Sequence, residues 1–142
     1  MLKLAALDAE DLEVISAHMQ DAVVRTADIR HLPAQRQFAL IANRFAWENW
    51  NQLERHRTGL HFDRVLSARA RNLKRDSEDR VLALLAITFE EASPPAGTVT
   101  LVFSGGATIR LEVECIEAGL RDLGPVWAAA SAPSHPGDRK KP

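Results

Sequence analysis

The residues with the clearest chemical potential lie in a basic stretch between positions 44 and 75. This stretch contains only three acidic side chains and eight basic ones, namely Arg44, Arg55, Arg57, Arg64, Arg69, Arg71, Lys74 and Arg75. Trp47 and Trp50 lie within it. Because cations neutralise phosphates and aromatic faces stack on unpaired bases, this composition indicates a segment that binds nucleic acid or phosphate. Alternatively, the arginines are solvated on outward strand faces or neutralised by nearby acids, and the tryptophans pack on a sheet.

A second candidate is the pair His61 and Asp63. Residues two apart on a strand share a face, so the carboxylate can orient the imidazole for proton transfer or metal binding. His56 lies nearby in sequence. Two ligands are too few for a metal site, and no nucleophile stands at motif spacing, so the pair equally fits two surface neighbours. The candidate binding residues are Arg44, Trp47, Trp50, Arg55, Arg57, His61, Asp63, Arg69 and Arg71.

The remaining reactive side chains favour structural roles. Cys115 is the single cysteine, so the chain cannot form an internal disulfide. Strand alternation points this thiol inward beside acidic neighbours, which predicts a small buried hydrophobe. Gly105 and Gly106 lack the lysine and following helix of a phosphate loop and predict a turn. We therefore predict no catalytic residue, no metal and no cofactor, and lean towards a protein that is not an enzyme.

Length and composition are those of an ordinary folded protein. The chain has 142 residues, of which 46% are hydrophobic and 26% charged, and 18 basic side chains nearly balance 19 acidic ones. These values predict one globular domain, which we place over residues 1–127. From Ala128 the chain is rich in Ala, Ser, Pro, His, Gly and Lys, and this composition predicts a disordered tail over 128–142. The balanced charge gives no general reason to expect a nucleic-acid partner. The longest mainly apolar run, Val81–Ile87, is too short to span a bilayer, and no signal peptide is evident, so we expect a cytoplasmic protein without a membrane partner.

The elements that must position these residues follow from periodicity and turn signals. Asp8 is a good N-cap for a helix over about 9–20, in which apolar residues recur at helical spacing. A short closing helix is predicted over 116–122. Residues 46–58 are predicted to be a loop, with a single helical turn within it as the alternative. Turns are expected at 33–36, 74–79 and 93–97. Strands are predicted at about residues 2–7, 23–29, 38–45, 60–71, 81–89, 98–103 and 108–115.

The last two strands form the strongest local signal, a hairpin around Gly105–Gly106. Apolar and polar residues alternate on both arms, and a slip by one residue would turn every side chain to the other face. The pattern favours a three-residue loop at 105–107, which pairs Phe103 with Ile109; a five-residue loop would preserve the same faces.

The order of elements predicts an α+β fold. An N-terminal helix packs on a curved, mostly antiparallel sheet of about six or seven strands, closed by a short C-terminal helix. The alternative is a half-barrel like that of pleckstrin-homology domains, by analogy alone. Because the chain offers surface features but no reaction centre, a non-enzymatic interaction or adaptor module is the leading function, with a protein partner or a homodimer. Nucleic-acid or phosphate binding by segment 44–75 and a small-molecule enzyme are the alternatives.

A family resemblance is carried by the stretches Asp8–Leu12, Ile15–Val23, Asn43–Phe45 with Trp47–Glu48, and Ile109–Ile116. In these stretches the chain resembles a bacterial family known as domain of unknown function 2948. The likeness covers about residues 2–127. It implies a bacterial, cytoplasmic protein. It implies no activity, since none is assigned to the family, and no residue roles can be carried over.

Overall fold

The computed structural model describes residues 2–46, 54–73, 80–124 and 127–128. Within these residues one helix and ten strands form an α+β fold, and all the strand pairs of its one large open sheet are antiparallel. Nine strands follow the order β1-β9-β4-β3-β2-β6-β7-β8-β5, and β10 pairs with β4. The helix α1 spans Ala9–Met19, and the strands β1 to β10 span Lys3–Ala6, Ala22–Leu32, Gln37–Phe45, Glu54–Phe62, Val65–Arg71, Val81–Glu91, Gly97–Phe103, Thr108–Val113, Ala118–Asp122 and Trp127–Ala128.

The predicted N-terminal helix is confirmed together with its cap. Asp8 Oδ1 accepts a hydrogen bond from the Asp11 backbone N–H at 2.8 Å, and Asp11 Oδ2 accepts one from the Leu7 N–H at 3.3 Å. The first bond satisfies one of the donors that a helix start leaves unpaired, and the second ties Asp11 to the residue before the cap. Leu12, Ile15 and Met19 are buried and join the core, because α1 packs against β6 and β1.

The core lies on one face of the sheet, and strand alternation decides which side chains enter it. In β8 the buried residues Ile109, Leu111 and Val113 alternate with half-buried or exposed polar ones. The buried side chains of the sheet and the helix form one cluster. The opposite face of the strands is therefore available for other roles.

The β7–β8 hairpin has the predicted inward faces but a different register. Its loop has three residues, as predicted, but comprises Ser104–Gly106, and the Phe103 backbone N–H donates to Ala107 O at 2.8 Å. Ile109 consequently pairs with Leu101, where the sequence predicted Phe103. The difference is two positions, which preserves the faces, so hydrophobic alternation alone could not distinguish the two registers.

The predicted strand over 60–71 is in fact two strands in different parts of the sheet. β4 lies between β3 and β9, whereas β5 pairs with β8 at the end of the strand order. Arg64 separates them with a positive φ of 62°, a left-handed conformation that ends β4 and redirects the chain. The predicted loop over 46–58 is also partly wrong, since β4 begins at Glu54.

The predicted C-terminal helix over 116–122 is wrong, because this segment contains strand β9. β9 pairs with β1 on one side and β4 on the other, so its backbone groups bond to two neighbours. The sheet accordingly has more than the predicted six or seven strands. The predicted turn at 74–79 lies outside the described residues, and so does the tail after Ala128. No helix in the described part of the chain is long and apolar enough to cross a membrane.

Candidate functional site

A groove of about 560 Å³ lies on the outward side of β1, β9, β4 and β3. The strand registers arrange its side chains in rows that cross the four strands. One row is Lys3, Arg121, Gly59 and Ile41, and the next is Ala5, Gly119, His61 and Ala39. Leu7, Leu123, Asp63 and Glu117 complete the outer lining. The groove thus has a floor of small and apolar residues and charged residues at its margins.

Two glycines lie in the floor of the groove, and neighbouring side chains cover both of them. A Cβ added at Gly119 would clash with His61 Nε2, and one added at Gly59 would lie 3.3 Å from Leu123 Cδ1. The His61 ring and the Leu123 side chain therefore occupy the space that a side chain at Gly119 or Gly59 would need. Both groups are at flexible ends of side chains, so the shape of the floor can adapt to a bound group.

The basic margin is formed by Lys3 and Arg121, which lie directly opposite each other on β1 and β9. Both side chains are exposed, and no acidic partner contacts either of them among the residues that the structure describes. Like charges directly opposite on neighbouring strands destabilise a sheet. A bound anion would remove this repulsion, so this margin is suited to an acidic group.

The acidic margin contains the pair that the sequence singled out. His61 Nδ1 lies 3.3 Å from Asp63 Oδ2, and Gln37 Nε2 donates to Asp63 Oδ1 at 3.0 Å. Arg64 Nε donates to Glu117 Oε1 at 3.2 Å beside them. The His61 side chain is 47% exposed, so the arrangement can orient an imidazole towards a ligand but leaves it in contact with water.

Arg44 has a different role from the binding role that the sequence suggested. Its side chain is fully buried, and its guanidinium forms a two-pronged ion pair with Asp122, through Nε to Oδ1 and Nη2 to Oδ2 at 3.0 Å each. Thr58 Oγ1 donates to Oδ1 at 2.7 Å, and the Leu2 backbone N–H donates to Oδ2 at 2.9 Å. His56 Nδ1 lies 2.7 Å from Oδ2; because an ionised carboxylate only accepts, this nitrogen carries the proton.

These contacts determine the ionisation of Asp122. Burial by itself disfavours the charged carboxylate and raises its pKa. The hydrogen bonds from Arg44, the Leu2 N–H, His56 and Thr58 outweigh burial, and together they hold the pKa of Asp122 well below its usual range. The cluster thus joins β3, β4 and β9 through a carboxylate that is ionised at neutral pH.

The described arginines of the basic segment 44–75 do not lie on one surface. Arg55 is half-buried and its Nη1 donates to Asn43 O at 3.0 Å, while Arg57 is exposed on β4. Arg69 and Arg71 are exposed on β5, at the other end of the strand order. Trp47 and Trp50 lie outside the described residues. Of the predicted site residues that the structure describes, His61 and Asp63 line the groove and the others do not.

Sequence reasoning missed Lys3, Arg121 and Asp122. The latter two lie on β9, which was interpreted as a helix, so the alternation of outward Gly119 and Arg121 with inward Leu120 and Asp122 was not recognised. That alternation was the available signal. Cys115 is half-buried, whereas the sequence predicted full burial; β8 ends at Val113, so strand alternation no longer applies there.

Within the described residues no group of three or more histidine, cysteine or acidic side chains is arranged to hold a metal ion. The fold and the groove define a small α+β protein with a groove on one face of an antiparallel sheet. The chain belongs to the family described as "Protein of unknown function (DUF2948)", whose model matches residues 2–135. No curated protein and no solved structure matches it.

Proposed function

We propose that this protein is a non-enzymatic interaction module that binds a short segment of a partner protein in the outward groove of β1, β9, β4 and β3. The observation that carries the proposal is an apolar floor placed between a basic margin and an acidic margin. Concave sites with an apolar lining and a few charged groups are typical binding sites. An exposed apolar patch with a charged rim is typical of protein interaction surfaces.

The two margins specify the chemistry of the partner segment. The row containing Lys3 and Arg121 is four residues along the strands from Asp63 and Glu117, which corresponds to about 13 Å. A matching segment carries an acidic residue for the basic margin, an apolar side chain for the apolar floor and a basic residue for the acidic margin. Charges arranged in this way give specificity and orientation more than affinity.

Exposed leucines beside the floor supply apolar surface that binding can bury. Leu7 is 72% exposed and Leu123 is 43% exposed, and both line the groove. Burial of apolar area is favourable at about 25 cal/mol per Å² before the costs of association are subtracted. Burial of these leucines therefore favours occupation of the groove by an apolar side chain of a partner. We further propose that the protein acts in the cytoplasm.

The test is selection from a displayed library of random peptides against the full-length protein. The selected peptides should share an apolar residue with an acidic residue on one side and a basic residue on the other. Lys3→Glu should weaken binding of such a peptide about tenfold or more and should instead favour a peptide in which the acid is replaced by lysine, because the charge at the margin is reversed.

Arg71→Glu is the matched control, since it reverses one exposed charge on β5, at the other end of the strand order from the groove. Ala39→Arg should abolish binding of every selected peptide by filling the floor. If the selected peptides share no such pattern, or if Lys3→Glu and Arg71→Glu have equal effects, the proposal is wrong.

A further inference from the structure

A second surface lies on the outward side of β5, β8, β7 and β6. The registers place Arg69 opposite Arg110, Arg110 opposite Thr100, and Thr100 opposite Thr88, so these four residues form one row across four strands. Arg71 lies two residues from Arg69 and opposite Thr108, in the neighbouring row. We call Arg69, Arg71 and Arg110 the arginine face. It combines residues of two strands that are distant in the sequence.

No contact within the described residues explains why the arginine face carries three positive charges. All three side chains are exposed, and in the described ranges none of them has an ion pair or hydrogen bond to another side chain. The nearest outward acid of β8, Glu112, accepts a hydrogen bond from Thr98 Oγ1 at 2.9 Å. Two arginines directly opposite each other repel and disfavour the β5–β8 pairing. Such unfavourable pairs of like charge are expected at sites where a bound ligand compensates the repulsion.

We propose that the arginine face is a binding site for the phosphodiester backbone of a nucleic acid. The guanidinium is a planar fork that donates two parallel hydrogen bonds to a phosphate, and two forks in one row can hold a single phosphate group. Arg71 in the adjacent row contacts the next phosphate, and the hydroxyls of Thr100 and Thr88 are further donors.

The composition of this face favours contact with the backbone rather than the bases. Threonine hydroxyls and guanidiniums dominate the described rows, and these rows present no aromatic ring on which a base could stack. Binding by such a face depends on charge and is independent of sequence. Because the net charge of the chain is −1, attraction to a polyanion must come from a local patch such as this one.

The test is fluorescence anisotropy of the full-length protein with a labelled DNA duplex, measured over a range of salt concentrations. Two contacted phosphates predict a slope of about −1.8 for log K against log salt, and loss of the phosphate held by Arg69 and Arg110 should make it shallower by about 0.9. Arg69→Gln with Arg110→Gln should therefore weaken binding at low salt by about tenfold or more. Arg110→Lys should bind the duplex more tightly than Arg110→Gln but less tightly than the native protein, since lysine keeps the charge but loses the planar fork of the guanidinium.

Arg57→Gln is the control, because it removes one exposed guanidinium from β4, outside the arginine face. Inorganic pyrophosphate, titrated in a separate arm, distinguishes a free phosphate ligand from the nucleic-acid backbone. The proposal is overturned if the duplex does not bind at low salt, if Arg57→Gln weakens binding as much as Arg110→Gln, or if pyrophosphate binds to the face and the duplex does not.

Discussion

Replacing Asp122 by asparagine tests whether the buried cluster of β3, β4 and β9 holds this end of the sheet together. The substitution preserves the shape of the side chain but removes its charge. In the native protein both carboxylate oxygens face hydrogen-bond donors. Oδ1 accepts from Arg44 Nε and Thr58 Oγ1, and Oδ2 accepts from Arg44 Nη2, His56 Nδ1 and the Leu2 N–H. An amide places an NH₂ group against one of these two sets of donors in either orientation.

The expected loss is large because the partner that remains is a buried cation. The Arg44 side chain is 0% exposed, so its guanidinium cannot regain the lost interaction from water without local opening. Removing one partner of a buried ion pair typically costs about 3–5 kcal/mol. With a urea slope of about 2 kcal/mol per molar for a protein of this size, the unfolding midpoint should fall by about 1.5–2.5 M.

The assay is equilibrium unfolding in urea followed by far-ultraviolet circular dichroism at pH 7. Asp63→Asn is the matched control, because Asp63 is paired with the half-exposed His61 and exposed pairs contribute at most about 1 kcal/mol. Equal shifts of the midpoint for the two variants would refute the argument that the Arg44–Asp122 pair is a structural centre of the sheet.

Three further predictions concern stability. Because the pKa of Asp122 is lowered by folding, its ionised form stabilises the native state above the unfolded pKa of about 4, and the free energy of unfolding should fall as pH drops below that value. Urea midpoints measured between pH 2 and 6 should show a weaker acid dependence in Asp122→Asn. Gly97→Ala should destabilise by about 1–3 kcal/mol in thermal melts, because its Cβ would lie 2.5 Å from the backbone Glu90 O; unchanged melting would contradict the packing described. Asp8→Ala should cost about 1 kcal/mol by removing the cap on the Asp11 N–H, whereas Glu13→Ala, on the exposed side of α1, should cost little.

The sequence identified the elements whose signals are local. A helix start depends on residues within one turn, so Asp8 and the following apolar spacing sufficed to place α1. The β7–β8 hairpin was recognisable because alternation and turn residues lie within about twenty positions. Its register differs from the prediction by two residues because such a shift leaves the buried faces the same.

The sites depend on contacts between distant parts of the chain. Lys3 meets Arg121, and Arg44 meets Asp122, only once β9 lies between β1 and β4. β9 was misread as a helix because its short sequence carries no strong preference, and pairing with two neighbours overrides a weak local propensity. Arg44 was predicted to bind a ligand for a related reason. No residue near it in the sequence reveals the Asp122 carboxylate that makes the burial of its guanidinium possible.

The sequence alone therefore determined the α+β class, the capped helix and the inward faces of the β7–β8 hairpin, since each follows from periodicity over a few residues. Only the tertiary structure decided that the basic segment is divided among a buried ion pair, the outward groove and the arginine face. The physical reason is that strand order brings together side chains that are far apart in the chain. The role of a charged side chain depends on the groups that this order places beside it.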